Sequence, residues 1–223
     1  MSKARLRMSK LGTAKYISHL DFMRTMRRAF TRAEIPLRYS EGFNPHPLMS
    51  FALPLSVGQE SVCELLDFET SGETPPDALR RLNRTLPEGI SATELYDGGK
   101  KPGLLRWVEV RGLMYYDAPI GKSAVEALTA VFAAERIIAR VRTKRGEEET
   151  DIAPRIRGAS FGLADKEENG SGGVISVLAV ISAQNPTLNP TALTSAAEIS
   201  GFPPRFAEWR RMEVYDEDMR AFR

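Results

Sequence analysis

Cysteine is almost absent, with Cys63 the only one in 223 residues. One thiol cannot hold an iron–sulfur cluster or a four-thiolate zinc site, and within the strand-like SVCELLDFE it reads as a small buried hydrophobe. Histidine is nearly as scarce. With only His19 and His46, a metal site would need carboxylates to complete it, and the ligand spacing for that is missing, so neither metal nor cofactor is expected. Long apolar runs are missing as well, none approaching the roughly 18 residues that cross a bilayer. The amino-terminal MSKARLRMSK carries no apolar segment behind its basic residues, so no secretory signal is expected and the chain is placed in the cytoplasm, away from membranes.

What is present is the composition of an ordinary globular protein, 42% hydrophobic and 27% charged, long enough for two domains of about 100 residues each. The net charge is only +2, but it is unevenly spread. Residues 1–50 hold ten Lys/Arg against three Asp/Glu, and residues 51–100 hold four against nine. Such asymmetry suits one face addressed to an anionic partner, and equally a solvated helix face.

The densest polar cluster is SEGFNPHPLMSFALPLSVG, residues 40–58. Gly42, Asn44, Pro45 and Pro47 punctuate a loop in which Asn44 and His46 precede prolines and are expected to be extended. The apolar run from Leu48 to Leu55 reads as a core strand carrying that loop. Two readings stand side by side: a rigid turn whose polar side chains satisfy the backbone, and a binding loop on a rigid support.

Taken in order, the chain predicts a strand over Ala4–Met8 and a helix from His19 to about Ala33, capped by Ser18. His19, Phe22, Met26 and Phe30 share the buried side of that helix, Arg24, Arg28 and Arg32 the open side, with Arg27 on a flank. A strand over Val62–Glu69, a helix over Pro76–Thr85 with Thr74 as its cap, and a strand over Ile90–Tyr96 complete a β-α-β-β-α-β order. After the linker 97–103 the order recurs: strand 105–115, helix 123–135, strand 136–142, strand 174–181, helix 190–200 and strand 206–215. The expected fold class is α+β, two tandem ferredoxin-like halves with antiparallel sheets, spanning 1–97 and 104–223. The second half holds a long insertion at about 143–173, read as a short strand or turn followed by the glycine-rich loop tip DKEENGSGG. Asp151, Arg155 and Arg157 form a possible second binding loop there, or ordinary surface charge.

From Lys15 to Asp67, and above all in SHLD, YSEGFNPHP and SFALPL, the chain resembles an uncharacterised bacterial radical-SAM-associated family, found free-standing or fused to a cobalamin-binding radical-SAM protein. The resemblance implies a radical-SAM partner encoded nearby that holds the iron–sulfur cluster, and no known reaction.

Three functions compete. The first is an accessory module of a radical-SAM modification system that binds RNA or another anionic substrate through Lys15, Tyr16, Arg24, Arg28, Arg32, Arg38, Tyr39, Phe43, Asn44 and His46, the aromatics serving as stacking platforms. The second is a protein–protein docking adaptor for the radical-SAM partner. The third is a nuclease-like enzyme using His19 and His46 as acid and base.

Overall fold

The computed structural model describes residues 2–143, 146–164 and 172–223; the expected loop tip lies largely outside them, at 165–171. The described chain forms two units, residues 1–104 with Arg223 and residues 105–222, each of α+β architecture.

In the first unit, β1 (Ser2–Lys10), α1 (His19–Arg32), β2 (Met49–Phe51), β3 (Glu60–Thr70), α2 (Ala78–Asn83) and β4 (Ile90–Asp97) follow one another. The strands lie in the order β4-β1-β3-β2 with every neighbour antiparallel. Alternation sorts the sheet into two faces. Ala4, Leu6, Met8, Leu66 and Phe68 pack under Phe22, Met26 and Phe30 of α1 and Leu82 of α2. The opposite parity, Lys3, Arg5, Asp67 and Glu69, falls on the other face. α1 starts where expected, the Ser18 hydroxyl accepting from the Asp21 N–H at 3.2 Å.

Two expectations fail in this unit. The run Leu48–Leu55 yields only the three-residue β2, because Pro54 has no N–H to continue a ladder and the chain leaves β3 after Ala52 donates to the Leu65 carbonyl at 2.9 Å. Thr74 does not cap α2; its hydroxyl is buried without a partner among the described residues, and Asp77 occupies the cap position, its carboxylate held by Arg80 and Arg81.

The second unit contains β5 (Trp107–Tyr115), α3 (Lys122–Phe132), β6 (Ile138–Thr143), β7 (Gly146–Asp151), β8 (Ile156–Leu163), β9 (Val174–Ser182), α4 (Thr191–Ala197) and β10 (Phe206–Tyr215). Its sheet runs β10-β5-β9-β8, again antiparallel. Here the sequence reading is corrected. The strand expected over 136–142 becomes β6, which among the described residues pairs only with β7 in a separate hairpin, and the second strand of the main sheet is β8, inside the segment taken for an insertion. The periodic signal misled because ARVRT alternates small or apolar with charged residues, whereas IRGASFGL has two glycines and weak contrast between its faces. Gly112 in β5 has a packing reason: a Cβ there would lie 2.4 Å from the Trp209 ring, which covers the strand.

Candidate functional site

Ser40 and His46 close the central loop on itself. The Ser40 N–H donates to the His46 carbonyl at 2.8 Å, the His46 N–H to the Ser40 hydroxyl at 3.1 Å, and that hydroxyl lies 2.9 Å from His46 Nδ1. The imidazole is thus fixed through its backbone-side nitrogen, and Nε2 has no partner among the described residues. Between these closing residues Phe43 stands fully in solvent beside exposed Asn44. Tyr39, 44% exposed, bridges its backbone to Pro47, and Arg38 pairs with Glu69 at 2.9 Å. His19 sits elsewhere. Its ring meets Phe51 edge-on at 5.7 Å between centroids, and its side chain makes no hydrogen bond among the described residues.

The outward face of α1 is more basic than the sequence reading assigned. Arg24, Arg27, Arg28 and Arg32 are all exposed, so Arg27 joins the face instead of flanking it. Arg24 pairs with Asp21 at 2.9 Å and Arg32 donates to the Thr85 carbonyl at 2.9 Å, while Arg27 and Arg28 have no partner among the described residues. Just before the helix, Tyr16 is 65% exposed with the Lys15 ammonium 5.4 Å from its ring centre.

A concavity of about 490 Å³ opens on the other face of the same sheet. At its floor Arg5, 2% exposed, donates from Nε to Asp67 Oδ1 at 2.5 Å and from Nη2 to Asp67 Oδ2 at 2.9 Å. Burial works against the guanidinium charge, but the hydrogen bonds and charge of Asp67 outweigh it and hold the Arg5 pKa above its ordinary value. Ser50 of β2 stands opposite Asp67 in the register, and Lys3 pairs with Glu69 at 3.0 Å. The segment after β4 forms the far wall, its Lys100 carbonyl accepting from Arg5 Nη2 at 2.8 Å. Of the residues predicted as site residues, His46 alone lines this concavity; His19 does not. Sequence reading missed Arg5 and Asp67. Their signal was charge set between apolar residues, basic in ARLRM and acidic in CELLDFE, on two strands of opposite sign.

The second predicted loop divides. Asp151 accepts from the Ile137 N–H at 3.0 Å and the Ala153 N–H at 3.1 Å, which serves the fold of that segment. Those bonds, the Ile137 one foremost, lower its pKa. Arg157 lies 5.6 Å from the Trp107 ring, and half-buried Arg155 makes no side-chain hydrogen bond or ion pair with the other two among the described residues.

Residues 3–190 match the family described as an uncharacterized protein conserved in bacteria (DUF2344). The chain belongs to that family. No curated protein matches this DUF2344 member. Among solved structures, a chain of a Cbf5-Nop10-Gar1 complex is similar over 96% of this chain and 50% of that one, at 12% identity and a TM-score of 0.52. The DUF2344 chain therefore spans half the length of that relative, and at such identity the likeness is one of α+β fold alone. An unknown protein from Galdieria sulphuraria covers 94% of this chain and 98% of its own at 11% identity, with a TM-score of 0.28. Among the described residues no helix is long and apolar enough to cross a membrane.

Proposed function

We propose that this chain is an accessory binding module of a radical-SAM modification system, holding RNA or another polyanion on the outward face of α1, and that each unit is a ferredoxin-like half. The observation carrying the binding proposal is that four arginines share one exposed helix face and two of them, Arg27 and Arg28, are uncommitted among the described residues. Structural ion pairing would have used them. The exposed Tyr16 ring next to the helix supplies a surface on which a base can stack. The ferredoxin-like reading is supported by the matching sheet orders, β4-β1-β3-β2 and β10-β5-β9-β8, once the β6–β7 hairpin is set aside. The radical-SAM partner rests on the resemblance of residues 15–67, and the lone Cys63, which is buried, leaves cluster binding to that partner.

Each neutralised phosphate of a single strand contributes about 0.7 to the slope of log affinity against log salt, so Arg24, Arg27 and Arg28 together account for a slope near −2. Anisotropy titrations of single-stranded RNA against the wild type and the Arg24→Gln/Arg27→Gln/Arg28→Gln variant, at about 50 to 200 mM salt, test this. Loss of most of the slope is expected; absent or mutation-indifferent binding sinks the proposal. Docking to the partner protein is the second reading, favoured by Phe43 and Leu20, which stand exposed at 106% and 67%. It predicts salt-insensitive complex formation that Phe43→Ser weakens.

A further inference from the structure

We propose that the concavity over Arg5 and Asp67 is a binding site for a ribonucleotide, with the vicinal hydroxyls of the ribose on Asp67 and the phosphate at the rim beside Lys101 and His46. The inference goes beyond polyanion binding by α1, because the concavity and the arginine face lie on opposite sides of the first unit's sheet.

The floor decides the donor end of the ligand. Asp67 is turned and fixed by the two hydrogen bonds from buried Arg5, one to each carboxylate oxygen. Each oxygen keeps a second acceptor position, and the side chain is 30% exposed. Because Arg5 already balances its charge, the carboxylate has little to gain from an ammonium group, yet still accepts from neutral donors. Two adjacent hydroxyls, one to each oxygen, fit that geometry, and the Ser50 hydroxyl across the register adds a further polar group.

The rim decides the other end. The lining carries Lys3, Arg5, Lys100 and Lys101 against Asp67 and Glu69 only, and both carboxylates are already paired within the unit. The surplus is positive. Lys101 is exposed with no ion pair among the described residues, and His46 keeps Nε2 available while Ser40 holds its other nitrogen. A phosphate satisfies both groups. The volume of about 490 Å³ lies in the ordinary range for small-molecule sites and accommodates one nucleotide.

The probe is adenosine 5′-monophosphate, titrated calorimetrically into the whole chain at low salt. Binding is expected, weakened at least tenfold for the 2′,3′-dideoxy nucleotide and several-fold by Lys101→Ala or His46→Ala, both at exposed positions that leave the fold intact. Asp67→Asn also abolishes binding but uncovers a buried guanidinium, so the rim variants carry the test if that protein does not fold. No binding at millimolar nucleotide, or equal binding of the dideoxy compound, overturns the proposal. The α1 glutamine variant must bind the nucleotide like the wild type, which separates failure here from failure of the polyanion reading. Competition by an RNA oligonucleotide ending in a free 3′ diol, but not by one ending in a 3′ phosphate, assigns the ribonucleotide to an RNA terminus; indifference to both assigns it to a free nucleotide.

Discussion

The guanidinium of Arg5 in β1 and the carboxylate of Asp67 in β3 face each other across adjacent strands, joined by two parallel hydrogen bonds of 2.5 and 2.9 Å. The pair is unequal, since the arginine side chain is 2% exposed and the aspartate 30%. Removing one partner of a buried pair costs about 3–5 kcal/mol, chiefly because the other charge is stranded. Asp67→Asn strands the buried member and is expected near that range, whereas Arg5→Met leaves a carboxylate that water reaches and is expected to cost less. Urea denaturation of both variants checks the order; a costlier Arg5→Met contradicts it.

Gly99 makes a second, sharper test of the same pair. Its φ is +142°, and a Cβ there would lie 2.7 Å from Arg5 Nη1. A flexible side chain would step aside, but this guanidinium is pinned by Asp67 and by the Lys100 carbonyl. Gly99→Ala is expected to cost about 1–3 kcal/mol, combining backbone strain with displacement of the ion pair. Gly98, at φ +72° with open space around it, supplies the control, since alanine there bears only the backbone term of about 1–2 kcal/mol. Thermal melting distinguishes the two: Gly99→Ala must fall further.

The helices and long strands of both units were legible because each presents one period clearly. α1 shows its apolar stripe at helical spacing, β3 a partial alternation, and β9 a run rich in valine and isoleucine. The concavity was not legible, for a physical reason. Arg5 and Asp67 are 62 positions apart, and nothing local to either announces the other; only the register of β1 on β3 joins them. The same holds for β8, whose pairing with β9 depends on backbone complementarity that glycine-containing IRGASFGL does not display as a pattern. His46 could be singled out because its constraint is local, a histidine between two prolines; its closure by Ser40 comes from the structure.

Asp151 gives the second unit an acid-sensitive contribution to stability. Its carboxylate accepts from the Ile137 and Ala153 N–H groups, and these bonds place its pKa below the ordinary aspartate value. A carboxylate lowered in the folded state stabilises it fully above the unfolded value, and the contribution fades as pH falls through the folded one. The melting temperature of the wild type should therefore exceed that of Asp151→Ala near neutrality, with the gap closing below about pH 4. A gap that persists unchanged in acid would assign the loss to packing.

The two histidines should separate cleanly by what their substitution costs. His19 packs edge-on against Phe51, itself stacked on Phe22 at 4.5 Å, so its ring extends an aromatic cluster under α1. Removing one member of such a pair forfeits about 0.5–1.5 kcal/mol beyond the lost apolar area. His19→Ala is thus expected to lower the melting temperature, and His19→Phe, which restores a ring edge, to recover most of it. His46 is exposed and among the described residues bonds only to Ser40, so His46→Asn should leave stability within about 0.5 kcal/mol of the wild type while weakening ligand binding. Melting curves and nucleotide titrations on the same four proteins decide. If both histidines lose function equally with no loss of stability at either, they act together as an acid–base pair, and the packing role assigned to His19 is wrong.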